Sequence, residues 1–203
     1  MARAAELSPP DDARNGTRDA GGPQARQRLV VLGVGNTLMG DDGVGVAVVR
    51  QLLADAGHDL TPPDGGPIAA GVGRHVPDAF GPGLDAVVGE TAGLGLIRHF
   101  REARTVIVVD ALDAFAQGAL PGQVFRFSPD EADVVSLRSN NIHGMGVPHL
   151  VANARLTGAD PEVIVFAVQV GDVRPNADAL SPAVAEAVPA VVVLVAREIA
   201  KRR

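Results

Sequence analysis

The chain has 203 residues, 46% of them hydrophobic, and a formal net charge of −6 at neutral pH. That length suits one domain with a sizeable core, and without a basic surplus a general nucleic-acid or membrane-surface binder is disfavoured. Cysteine is absent, which excludes disulfides, thiolate metal sites and a cysteine nucleophile, and ties the chain to no oxidising compartment.

Residues 1–27 mix Pro, Asp, Arg, Gly and Ala without an apolar run, and read as a disordered N-terminal tail ahead of a domain over 28–203. No apolar stretch reaches the ~20 residues that span a bilayer, so a cytoplasmic location is the default expectation. With no Trp or Tyr and six Phe, the core must be built from Val, Leu, Ile and Ala, as in parallel sheets covered by helices.

The first strand is expected at Arg28–Gly33, followed by the glycine-rich turn Val34–Gly43 and an amphipathic helix over Val44–Ala56 that stops at Gly57. Residues 57–83 are dense in Gly, Pro and Asp and read as a long loop or insertion. Leu84–Val88 reads as a strand, Gly89–Gly93 as a loop and Leu94–Arg101 as a short helix. Thr105–Val109 is the clearest buried strand, with Asp110 at its carboxyl end.

After the turn signal Pro121-Gly122, Gln123–Phe127 alternates as a strand with one polar face. A polar stretch to Asn141 leads into a helix within His143–Gly158, and Glu162–Val170 reads as a central strand. The last helix starts at Ser181, where an N-cap serine, Pro182 in the first turn and Glu186 supply the start signals. The alternation makes an α/β fold: one three-layer domain, its mostly parallel, twisted sheet flanked by helices on both faces.

A glycine-rich turn after a first strand puts backbone N–H groups at the carboxyl edge of the sheet. Asp41 and Asp42 would repel a phosphate there, so a cation or amide ligand suits the turn better. Taken singly, either acid also reads as a helix cap or a solvated residue favoured by the helix dipole, Asp110 as a turn cap, and His143 as a solvated loop residue. Taken together, Asp42, Asp110 and His143 compose a three-ligand site for a hard cation with open positions, provided that they meet. His58, His75, His99 and His149 fit weaker roles. No Gly-x-Ser-x-Gly elbow supports serine hydrolysis.

Four ordered blocks resemble the nickel-iron hydrogenase maturation protease family: Gly33-Val-Gly-Asn-Thr-Leu-Met-Gly-Asp-Asp-Gly-Val-Gly45; Val109-Asp110-Ala111 with Pro121-Gly122; His143 ahead of Gly146 and Leu156-Thr-Gly158; and Leu180-Ser-Pro182 with Val188-Pro189. The resemblance implies a peptidase, an endopeptidase that removes a C-terminal extension from the precursor of a nickel-iron hydrogenase large subunit once nickel is inserted. It implies that Asp42, Asp110 and His143 read that nickel, with metal docking a firmer role than catalysis. The nickel would come with the substrate, with no tightly bound cofactor of the chain's own, no nucleic acid and no membrane; the oligomeric state stays open. The chain departs from the family pattern at Val88-Gly-Glu-Thr-Ala-Gly93, where the acid has moved to Glu90 or been lost, in the length of 57–83, and at Gln169-Val-Gly-Asp172, which lacks a proline.

Two other readings compete. A non-catalytic chaperone that checks nickel loading would share the metal ligands. A nucleotide-binding α/β domain fits poorly, since the third glycine of the dinucleotide fingerprint would fall at Leu38 and no acid-tipped second strand follows.

Overall fold

The computed structural model describes residues 28–60, 74–114, 118–129 and 146–203. The tail at 1–27, the middle of the 57–83 segment and His143 lie outside these residues. β1 (Arg28–Val34), β3 (Leu84–Glu90), β4 (Ala103–Leu112) and β6 (Glu162–Gln169) form the parallel centre of a sheet. β2 (Arg74–Val76) and β5 (Val124–Phe127) close its two edges antiparallel, giving the order β2-β3-β1-β4-β6-β5. The mostly parallel α/β architecture expected from composition is therefore present.

The four central strands are nearly continuous runs of Val, Ile, Leu and Ala because both faces are covered. Alternate residues go to opposite sides. Leu29, Val31, Ala86, Ile107, Val109, Ile164 and Phe166 pack under α1 (Val44–Asp55) and α4 (Pro182–Ala200). Val30, Leu32, Val87, Val106, Val108, Val163 and Val165 pack under α2 (Ile97–Glu102) and α3 (Val147–Leu156). No helix among the described residues is long and apolar enough to cross a membrane.

Three local expectations need correction. The 57–83 segment is not loop throughout, because Arg74–Val76 pairs with Ala86–Val88 as an edge strand. A buried knot fixes it: Asp85 accepts hydrogen bonds from Arg28 Nε (2.7 Å) and the Asp78 amide (2.9 Å), and its Oδ2 lies 3.1 Å from His75 Nε2. Strand β3 continues through Glu90, past the Val88 at which a loop was expected. Strand β4 does not stop at Val109 but runs to Leu112, since β6 extends its pairing to Leu112–Gln169. Asp110 is thus a strand residue, not the first residue of a turn.

The order β3-β1-β4 means that the chain leaves β1 in one direction, to β3, and then passes over to β4 on the other side of β1. The carboxyl ends of β1 and β4 accordingly flank a topological switch point, the crevice where open α/β sheets hold ligands.

Candidate active site

Two elements meet at that crevice: the turn after β1, which ends in a 3₁₀ turn at Gly40–Gly43, and the last residues of β4. Close approach of backbone to backbone makes the junction. A Cβ at Gly45 would overlap the carbonyl oxygens of Val34 and Val109, and one at Gly35, whose φ is +127°, would overlap that of Asp42. Only glycine lets the start of α1 settle onto β1 and β4 at this spacing.

Asp42 is half-buried, and its Oδ2 accepts the Asn36 amide hydrogen bond at 2.7 Å. Asn36 Oδ1 in turn accepts the amide of Leu38 at 3.0 Å, an Asx turn that shapes the loop. Asp110 is buried in the sheet with the strand parity of Val108 and Leu112, and its Oδ1 accepts the Ala111 amide at 2.8 Å. Burial drives the Asp110 carboxyl up to about 7; the Ala111 amide opposes that rise, and the negative charge of Asp42 adds to it. The two acids expected to work together therefore feel each other across the switch point.

Among the described residues no three His or acidic side chains converge as a metal cage. Asp42 and Asp110 offer two carboxylates, and His143 lies outside the described residues.

Asp41 does something the sequence did not disclose. It is fully buried, and its carboxylate collects the amides of Gly171 (2.7 Å), Asp172 (2.8 Å) and Ser181 (2.6 Å) together with the Ser181 hydroxyl (2.8 Å). Burial raises its carboxyl, but these donors outweigh that and hold it below the ordinary aspartate range. Ser181 stands at the N-cap position of α4 as expected, yet its hydroxyl serves Asp41 and makes no cap bond. The backbone strengthens the same junction: Gly40 N–H donates to Ala177 O and Asp41 N–H to Asp172 O.

Glu90, whose role the sequence left open, ends β3 in a left-handed conformation (φ 44°), is buried, and pairs with Arg50 Nη2 at 2.8 Å. Its carbonyl accepts the Gly35 amide, so it braces the signature turn from the β3 side. Gln169, fully buried at the end of β6, accepts the Ala114 amide at 2.7 Å and holds the loop that leaves β4. A polar residue closing an apolar strand was the visible signal for it. Around the crevice the loops after β3, β1 and β4 expose Leu94, Leu38 and Leu120, each more than half exposed.

A family model described as hydrogenase maturation protease matches residues 82–198. The chain belongs to the hydrogenase maturation protease family. That family is one of peptidases. Hydrogenase expression/formation protein HoxM of Cupriavidus necator is 28% identical over 140 residues, which cover 68% of this chain and 56% of HoxM. HupM of Azotobacter chroococcum is 28% identical over 171 residues, 83% of this chain and 70% of HupM. The chain thus spans little more than half the length of the first of these relatives.

Among solved structures, the hydrogenase maturating endopeptidase HybD from E. coli shares the fold with a TM-score of 0.63 at 24% identity, covering 86% of this chain and 93% of HybD. A hydrogenase 2 maturation peptidase from a Thaumarchaeota archaeon matches at 26% identity with a TM-score of 0.52, covering 85% of this chain and 97% of that one. In an open α/β sheet of this order the switch-point crevice is where ligands bind.

Proposed function

We propose that the chain is an endopeptidase that removes a C-terminal extension from the precursor of a nickel-iron hydrogenase large subunit after nickel insertion, and that it acts in the cytoplasm. The observation that carries this reading is the nearness of Asp42 and Asp110 at the switch point, two carboxylates from separate elements of which the first raises the second, with no ion pair to either among the described residues. Such a pair suits a cation delivered from outside. Carboxylate oxygen and imidazole nitrogen are donors that nickel accepts, so His143 completes the proposed set.

In this reading nickel is part of the substrate. Its capture by Asp42, Asp110 and His143 fixes the neighbouring peptide in the crevice and turns attack by water into an oriented, nearly unimolecular step. Arrival of a divalent cation also gives Asp110 the partner that burial denies it and offsets the smaller repulsion from Asp42, so the site favours loaded precursor over empty precursor. The exposed Leu38, Leu94 and Leu120 offer apolar contacts to an extended peptide.

Purified protein is incubated with nickel-loaded and nickel-free precursor, and the precursor mass is measured. Loss of a C-terminal peptide only from the loaded form is the expected result. An unchanged mass with loaded precursor, together with binding to it, would make the chain a nickel-checking chaperone instead.

A further inference from the structure

The outward side of α4 is strangely apolar for a surface helix. Its inner side, Val184, Val191, Val195 and Ile199, is spent on α1 and the sheet. Its outer side carries Ala183, Ala185, Pro189, Ala190, Val193 and Leu194 in exposed positions, Val193 at 48%. A helix apolar on both sides has a second surface to bury. Glu186 and Arg197 bring charge to the two ends of that outer stripe, and neither side chain has a hydrogen-bond or ion-pair partner among the described residues.

The order of these residues is self-complementary. Counting outward from the midpoint between Val191 and Val192, Ala190 and Val193 lie at equal distances on either side, as do Pro189 and Leu194, Glu186 and Arg197, and Ala183 and Ala200. We infer that α4 packs antiparallel against the α4 of a second copy of this chain about a two-fold axis through that midpoint. In such an isologous contact every pairing occurs twice. The axis sets the small Ala190 against the partner copy's Val193 position, the rigid Pro189 against the Leu194 position, and acid against base at Glu186 and Arg197. Unlike charges meet at both ends, whereas a parallel arrangement would stack like on like.

The 19-residue helix offers a strip about 28 Å long and ~10 Å wide, well short of the ~800 Å² per partner of a tight complex. The dimer is accordingly weak and concentration-dependent. It leaves the switch-point crevice open, since that crevice lies at the carboxyl ends of the strands and the stripe covers the outer side of a helix layer.

Sedimentation velocity from low-micromolar to millimolar protein tests the pairing. The wild type is expected to shift from monomer to dimer across the series, and Glu186→Arg or Arg197→Glu alone to stay monomeric. The double reversal, Glu186→Arg with Arg197→Glu, is expected to dimerise again, which a merely destabilised fold would not do. Because the chain has no cysteine, Ala190→Cys protein and Val193→Cys protein can also be mixed under oxidation. A cross-linked dimer enriched in the mixture over either protein alone is the expected result. A wild type that stays monomeric throughout, single reversals that dimerise as well as wild type, or cross-linking no greater in the mixture would overturn the inference.

Discussion

Asp41 and Asp42 are neighbours in the chain, yet their carboxylates do opposite work: Asp41 is locked onto Gly171, Asp172 and Ser181, while Asp42, among the described residues, holds the Asn36 amide alone and charges the surroundings of Asp110. One is a clamp and the other is left available. The difference can be measured.

Replacing Asp41 with Ala strands three amides and a hydroxyl around an empty site. Hydrogen bonds to charged groups contribute about 1.5–3 kcal/mol each, less when donors can be resolvated. A total loss of about 3 kcal/mol is expected, or roughly 6–12 °C in Tm for a chain of this size. Thermal melts check this, and precursor processing should fall in parallel.

Asp42→Ala should leave Tm within about 2 °C of wild type, since the residue is half-buried and loses one hydrogen bond. Processing of nickel-loaded precursor, followed as band size on a gel, is expected to be abolished. Normal processing by this variant would remove Asp42 from the site.

Asp110, an acid of the proposed site, is kept buried at the expense of stability. Its folded carboxyl sits near about 7, above the ordinary aspartate value of about 3.9. Between those values the unfolded chain releases its proton first, so stability falls as pH rises, and the full penalty stands above about 7. Asp110→Asn should therefore melt about 4 °C or more above wild type at pH 8. The advantage should vanish towards pH 4, and processing should be lost at both.

His99 titrates with the opposite consequence. Burial, with His75 and Arg98 nearby, pushes its imidazole down to about 4. As pH falls from about 6.5 towards 4 the unfolded chain takes up a proton that the folded chain refuses, so stability drops. Asp85, held near about 2 against its burial by Arg28, the Asp78 amide and His75, adds a further loss on the way below pH 4. In a Tm series against pH, His99→Gln should flatten the slope between pH 6.5 and 4 while leaving the fall below pH 4.

Leu38→Ser removes an exposed apolar contact at the crevice mouth without touching the core. Under the proposed function, KM for precursor should rise several-fold with Tm unchanged. An unaltered KM would take Leu38 out of the substrate surface.

What could be read from the sequence follows burial. β1, β4 and β6 each hold a continuous apolar run at their centre, and α1 has a clean periodicity with a glycine stop, so their positions were visible. β2 was not, because an edge strand of Arg-His-Val is held by a polar knot around Asp85 and carries no hydrophobic pattern. Asp110 was legible as an acid at a strand end, although pairing with β6 carries the strand two residues further. Asp41 resembled a helix cap because its partners lie 130 to 140 residues away, which no local rule can register. Glu90 escaped for a similar reason: its left-handed backbone and its pairing with Arg50 are set by packing, not by neighbouring residues.

The reach of the Asp41 bonds has a consequence for biogenesis. Residues 41 and 42 leave the ribosome early, but the groups that lock their turn come from Gly171, Asp172 and Ser181. Until that last stretch has been made and docked, a nascent chain holds both acids on an unset turn. Clipping the chain ahead of Gly171 would therefore unfasten the turn that carries Asp42 without removing Asp42 or Asp110.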